Sequence, residues 1–234
     1  MLIPKVSNSQ DFFRFRSISL CNFINKLLSR ILADRVTSVL PRIISPKQSG
    51  FVKGRNISEN YLLTQEIVSG IGKKARGGNV VLKLDMSNAY DRVSWLHIIG
   101  VLQRFGFGER FIDLVWRLLS NVWFSIIING SSHDFFKSMR GLRWGDPLSP
   151  ALFIIGVEVL SRGLNALTVQ SGFLWFKVPY GCPSVTHLAF ADDVLIFANG
   201  SSSSLKDIMQ VLEMYQRCSS QLINAQKIGY LVHP

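Results

Sequence analysis

Cysteine is scarce in this chain, and the three present, Cys21, Cys182 and Cys218, are odd in number and widely spaced. They form no zinc-like pattern with the four histidines, so reduced thiols of an intracellular protein, in the nucleus or the cytoplasm, are the expectation. Long apolar runs are lacking too. The longest, Ala151 to Leu160, is broken by Gly156 and Glu158 and falls short of the roughly 20 residues needed to cross a bilayer. No membrane span or membrane partner is expected, and Met1-Leu2-Ile3-Pro4-Lys5 lacks the layout of a signal peptide. Internal repeats are absent. Acidic residues are few: Asp and Glu number 15 against 26 Lys and Arg, a net charge of +11. Such an excess suits a polyanionic partner, nucleic acid being the commonest, although excess Lys and Arg can also serve solubility alone. What is abundant is apolar material, 47% of 234 residues, ample for a folded core and against a disordered chain.

The few acidic residues are distributed unevenly. Asn79-Val80-Val81-Leu82-Lys83-Leu84 reads as a largely buried strand whose carboxyl end delivers Asp85. Val185 to Phe190 and Val194 to Ala198 are short apolar runs separated by Ala191-Asp192-Asp193, the pattern of a tight hairpin with carboxylates at its tip. An adjacent Asp pair is also a common turn signal, and a strand can simply end in Asp. Two like charges side by side nevertheless repel unless a cation sits between them, and together the segments bring three carboxylates to one sheet edge. Mg²⁺ keeps one or two protein carboxylates and fills its octahedron with water and substrate phosphate. Two such ions about 3.5 to 4 Å apart clamp the attacking and leaving oxygens of an in-line phosphoryl displacement.

Apolar residues at 23, 24, 27, 28, 31, 32, 36, 39 and 40 follow the helical period, which predicts an amphipathic helix from Cys21 to Leu40 stopped by Pro41. Pro46 to Arg55 is too rich in Gly and Pro for a regular element; it is expected to expose Lys47, Lys53 and Arg55, with a second helix capped by Ser58. Helices are predicted from Ser94 to Arg104, Glu109 to Ser120 and Leu205 to Cys218. A strand over Val122 to Ile128 leads into the turn signal Asn129-Gly130, and a last strand lies near Gly229 to Val232. Ser149 as N-cap and Pro150 at the first helical position open an apolar, buried helix to about Leu167. This order suits an α+β fold, an antiparallel sheet backed by helices.

With these residues on the page, the chain resembles the reverse transcriptase domain of non-LTR, LINE-type retrotransposons in the form common in plant genomes. Leu2 to Lys5 and Phe15-Arg16-Ser17-Ile18-Ser19-Leu20-Cys21-Asn22 are similar to the family's first finger motifs, and Gln48-Ser49-Gly50-Phe51 with Gly54-Arg55 to the next. Leu84-Asp85 to Tyr90-Asp91, Arg140 to Pro150, and Phe190-Ala191-Asp192-Asp193 resemble three palm motifs; Gln221 to Asn224 with Lys227 resembles a fourth. The resemblance implies a polymerase palm over residues 79–234 with partial helical fingers over 1–78 and no thumb. It implies RNA-directed DNA synthesis with RNA template, DNA primer and deoxynucleoside triphosphates as partners, and two Mg²⁺ ions, Mn²⁺ being a possible substitute. Asp85, Asp192 and Asp193 would hold the metals, and Lys227 would protonate pyrophosphate as general acid. Arg16 would grip the triphosphate, Tyr90 would act as a steric gate against ribose or be an ordinary core tyrosine, and Gly145 would let backbone approach the nascent pair. Lys47, Gln48, Lys53 and Arg55 would lie along the nucleic acid. Three positions depart from the family pattern. Trp144 stands where Gln is usual, an indole expected to obstruct or distort nucleotide binding; Ser17 replaces Pro and Asn88 replaces Lys. The alternative function is therefore an inactive retroelement remnant that at most binds nucleic acid.

Overall fold

A computed structural model describes residues 2–4, 15–17, 19, 21–72, 77–128, 131–178, 184–224 and 228–232. The chain runs β1 (Leu2–Pro4), β2 (Phe15–Ser17), α1 (Phe23–Thr37), α2 (Leu40–Ile43), α3 (Ile57–Ser69), β3 (Asn79–Leu84), β4 (Met86–Ser87) and α4 (Ala89–Arg92). It continues with α5 (Trp95–Arg104), α6 (Glu109–Ser120), β5 (Trp123–Ile128), β6 (Ser131–Lys137), α7 (Ser149–Ala166), β7 (His187–Phe190), β8 (Asp193–Asn199), α8 (Ser202–Ser219), β9 (Leu222–Ile223) and β10 (Gly229–Val232).

The central sheet is antiparallel in the order β10-β3-β8-β7. Successive strand side chains point to opposite faces, and both faces here are apolar. Leu84, Ala189, Val194, Ile196 and Ala198 join the main core, which includes Ile98 and Leu102 of α5, the body of α7, and Ile208, Leu212 and Tyr215 of α8. Val81, Leu188 and Phe197 turn the other way and pack with Ile67 of α3 and Phe176. The α+β palm with its antiparallel sheet backed by helices is thus the observed architecture.

Helix α7 runs through the centre, and Phe153, Ile154 and Ile155 have no exposed surface. By length and composition alone, Ser149–Val169 could cross a membrane, yet most of it is buried inside the fold, as befits a core helix. Leu148 rather than Ser149 is its N-cap, and Pro150 lies in the first turn, where the missing N–H has no intrahelical partner to lose.

Other boundaries also shift for local reasons. The single helix expected from Cys21 to Leu40 is two helices: Asn22 Oδ1 caps α1 by accepting from Asn25 N at 2.8 Å, and Pro41 opens α2 instead of ending the pattern. Asn56, not Ser58, caps α3, its side chain accepting from Ser58 N at 3.0 Å. Helix α8 begins earlier than expected, at Ser202. Strands β5 and β6 pair antiparallel; the turn signal Asn129-Gly130 lies outside the described residues.

Candidate active site

Register brings the acidic residues to one edge. In the β3–β8 pairing Leu84 faces Val194, so Asp85, the next residue, emerges beside the start of β8. In the β7–β8 hairpin Phe190 faces Asp193, leaving Ala191 and Asp192 as a two-residue turn with Ala191 in the left-handed region at φ +54°. Asp192 is half-buried and Asp193 exposed. Burial raises the Asp192 carboxyl above the usual carboxylate range, a hydrogen bond from its own backbone draws it back, and the charges of Asp193 and Asp85 push it up again.

The neighbouring wall comes from α4 and the Arg140–Pro150 segment. Tyr90 is buried and stacks on Phe153 of α7, with ring centroids 4.6 Å apart and planes at 10°. Burial first, and then the charge of Asp192, raise its phenol well above the ordinary tyrosine value, which puts Tyr90 within electrostatic reach of that carboxylate. Trp144 lies against the same ring at 4.6 Å, tilted by 31°, and its Nε1–H donates to Asp91 Oδ1 at 3.2 Å. The segment carrying Trp144 is tied to α4 by Gly141 N donating to Val93 O at 2.9 Å and Leu142 N to Tyr90 O at 2.7 Å. A Cβ on Gly141, whose φ is +88°, would lie 2.6 Å from Asp91 O, so only glycine allows this approach. Gly145 also has a positive φ, +86°, but a Cβ there would make only an ordinary contact, 3.9 Å from Ser19 O. Ser19 N, within the first finger motif, donates to Trp144 O at 3.3 Å.

Behind Trp144, Asp146 is buried and accepts from Leu148 N at 2.9 Å and from the Ser29 hydroxyl, and pairs with Arg143 at 2.7 Å. Asp146 is thereby committed to shaping the loop.

Asp85 is held from the other side. Asn224 N donates to Asp85 O at 2.9 Å, β4 pairs with β9, and the buried Gln221 amide donates to Ala89 O at 3.1 Å while accepting from the Tyr215 hydroxyl.

The Lys47–Arg55 loop departs from expectation. Lys47 Nζ turns inward to Asn165 Oδ1 and Thr186 Oγ1, at 2.5 and 2.6 Å, and burial lowers its pKa. Arg55 donates to the carbonyls of Ser45, Gln48 and Ile44 at 2.5, 2.6 and 2.8 Å, which satisfies a turn that has few backbone partners of its own. Gln48 is 3% exposed and bonds to Ala191 in the aspartate hairpin. The expected exposure is therefore corrected for Lys47 and Arg55, which are only partly exposed and spend their polar groups on the fold; of the four residues expected along nucleic acid, Lys53 alone is exposed. Lys227 and the Arg16 side chain lie outside the described residues.

Sequence reasoning gave no role to Asn60, whose amide donates to Lys47 O, Ser49 Oγ and Ala189 O at 3.2, 2.9 and 3.1 Å. It likewise passed over buried Glu158, which accepts from Ser45 N at 2.9 Å. Both are single polar residues on helices, and only their distant partners reveal them.

Among the described residues, no group of three or more His, Cys, Asp and Glu forms a ready-made metal cluster. The donor set nonetheless fits a hard divalent cation. Asp85 and Asp192 are oxygen donors crowded at one edge, and a cation that takes only one or two protein carboxylates needs no closed cage.

An antiparallel palm with carboxylates on this edge defines the class of palm polymerases. The chain belongs to the reverse transcriptase (RNA-dependent DNA polymerase) family, whose model matches residues 3–233. It is 28% identical over 99% of its length to the Transposon TX1 uncharacterized 149 kDa protein of Xenopus laevis, covering 17% of that protein. It is 29% identical over 97% of its length to a Pol polyprotein from the R2 retrotransposable element of Popillia japonica, covering 30% of it. The chain thus spans less than a third of the length of these relatives. Apo telomerase from Candida tropicalis shares the fold, with a TM-score of 0.61 at 14% identity over 93% of this chain and 47% of that one.

Proposed function

We propose that the chain is the RNA-directed DNA polymerase domain of a non-LTR retrotransposon, adding deoxynucleotides to a primer 3′-hydroxyl on an RNA template. The observation that carries this reading is the crowding of Asp192 with Asp85 and Asp193 at the palm edge, next to the buried ring of Tyr90. Asp85 and Asp192 would hold two Mg²⁺ ions, with Asp193 tuning their field. Bound there, the ions supply activation of the primer hydroxyl and neutralisation of the pyrophosphate charge.

The chain's own residues contribute position. Tyr90, immobilised by Phe153, offers a rigid wall to the sugar of the incoming nucleotide. The exposed backbone at Gly145 leaves room for a base pair, and Lys53 is an exposed cation for a template or primer phosphate. Residues 1–78 act as partial fingers and 79–234 as palm, Arg16 gripping the triphosphate and Lys227 returning a proton to the leaving group.

The test is primer extension by the purified chain on an RNA template with deoxynucleotides and Mg²⁺. Extension that Asp192→Asn abolishes supports the reading; a folded parent that does not extend, with or without Trp144→Gln, refutes it. One observation favours the remnant alternative: Trp144, tethered to Asp91 and laid on Tyr90, stands at the nucleotide wall. Extension by Trp144→Gln but not by the parent would identify that indole as the obstruction.

A further inference from the structure

We infer that Gln48 is a positioning residue for Asp192, acting through the backbone of Ala191. The inference rests on the reading of Asp192 as a metal ligand.

The hairpin tip has a conformational difficulty. Ala191 carries a Cβ yet adopts φ +54°, a region that favours glycine. A short turn of this kind has alternative geometries, and each would aim the next side chain, that of Asp192, differently. Gln48 removes the choice. Its Oε1 accepts from Ala191 N at 2.9 Å and its Nε2 donates to Ala191 O at 3.2 Å, so one planar amide occupies both backbone polar groups of the residue before Asp192. No other uncharged side chain except Asn offers an amide donor and acceptor together, and Asn is one methylene shorter.

Gln48 is itself immobilised. Oε1 also accepts from Gly50 N at 2.8 Å. The flanking backbone is laced to β7 by Ala189 N donating to Lys47 O and Ser49 N to Ala189 O, at 2.9 and 3.0 Å, and the Asn60 amide spans the same join. Gly50 permits the approach, since a Cβ there would lie 2.4 Å from Ala191 N. With only 3% of its surface exposed, Gln48 has no face left for nucleic acid. The arrangement is that of a partner behind a metal ligand, which fixes where the ligand points without touching the ion.

The test is Mn²⁺ binding to the full chain, read by electron paramagnetic resonance, with Asp192→Asn as the site control. Gln48→Met keeps the side-chain length and removes all three hydrogen bonds of the amide, the two with Ala191 and the one from Gly50 N. It is expected to weaken Mn²⁺ binding about tenfold while circular dichroism and cooperative melting persist; in primer extension it raises the Mg²⁺ concentration for half-maximal rate and leaves the KM for primer–template unchanged. Gly50→Ala, which pushes the loop off Ala191 with Gln48 intact, is expected to act in the same direction. A folded Gln48→Met with the parent's Mn²⁺ affinity overturns the inference alone, and a parent whose Mn²⁺ binding ignores Asp192→Asn overturns the polymerase reading with it. Should Gln48→Met fail to fold, amide exchange in the parent decides: strong protection of the Ala191 amide supports the clamp, and exchange at the rate of an open turn refutes it.

Discussion

His187, the first residue of the strand that leads to the aspartate turn, should make the stability of this fold depend on pH in a predictable way. The side chain is 1% exposed, and its ring nitrogens meet Ser161 Oγ at 2.7 Å and Thr186 Oγ1 at 2.8 Å. Burial, aided by the positive charge of Lys47, pushes its pKa down to about 3. In the unfolded chain the same imidazole titrates near pH 6.5. Below that value the unfolded state takes up a proton that the folded state refuses, so stability falls as pH falls, by up to about 1.4 kcal/mol per unit, until pH approaches 3. Between pH 7 and pH 5 the loss from this one residue is about 2 kcal/mol. Glu158 and Asp192, whose pKa values burial raises, act with the opposite sign: the folded state takes up their protons first, and stability rises as they titrate. The His187 contribution is therefore isolated as a difference. Urea unfolding of the parent and of His187→Gln at pH 7, 6 and 5 should give stability curves that converge by about 2 kcal/mol toward the lower pH. Parallel curves would refute the reasoning, because they would mean that His187 titrates alike in both states.

Trp144→Gln is expected to lower the KM for deoxynucleotide in primer extension by about tenfold, since the indole now lies against Tyr90; an unchanged KM would exonerate it. Tyr90→Val should cost about 3 kcal/mol in urea unfolding, given the stack on Phe153, and raise ribonucleotide incorporation, whereas Tyr90→Phe should track the parent in ribonucleotide discrimination. Arg55→Ala should destabilise the chain by about 2 kcal/mol, because three close carbonyl partners lose their donor. It should leave the salt dependence of RNA binding unaltered, while Lys53→Ala should reduce that slope by about 1 and spare the melting temperature.

The long helices and the strands of the central sheet were legible in the sequence because apolar periodicity carries them: the runs flanking Asp85 and Asp192 read as strands, and α5 and α6 fall where the pattern places them, whereas short elements such as β4, α4 and β9 have too few residues to show a period. The shared acidic edge was legible for the same reason, as strand ends locate residues without knowledge of side-chain partners. The Lys47–Arg55 loop was not. A Gly- and Pro-rich segment with three cations reads as a solvated grip on phosphate, and only packing shows that Arg55 is spent on carbonyls and Lys47 on Asn165 and Thr186. Capping errors have a narrower cause. Asn56 and Ser58 are both good caps, and the choice fell to the side chain whose oxygen reaches a free N–H. Trp144 was legible as a misfit, but its hydrogen bond to Asp91 and its place on Tyr90 depend on how Gly141 lets the loop close on α4.

Two amides from opposite parts of the sequence hold the acidic edge together. Gln48 reaches Ala191 across 143 residues, and Gln221 reaches Ala89, at the start of the helix bearing Tyr90, across 132. Neither contact can form until the sheet and α7 have brought distant segments together, and closing loops of that size carries an entropic cost that only the core can offset. Apolar burial therefore comes first in the logic of this fold, and the backbone beside the carboxylates is then held by neutral hydrogen-bonding groups that add no charge to an already repulsive edge. An ionic clamp there would have been worse on both counts. A cation would pair with Asp192 itself, and an anion would add to the crowding that Asp85 and Asp193 already impose. A neutral amide on each side fixes backbone direction and adds no charge to that edge.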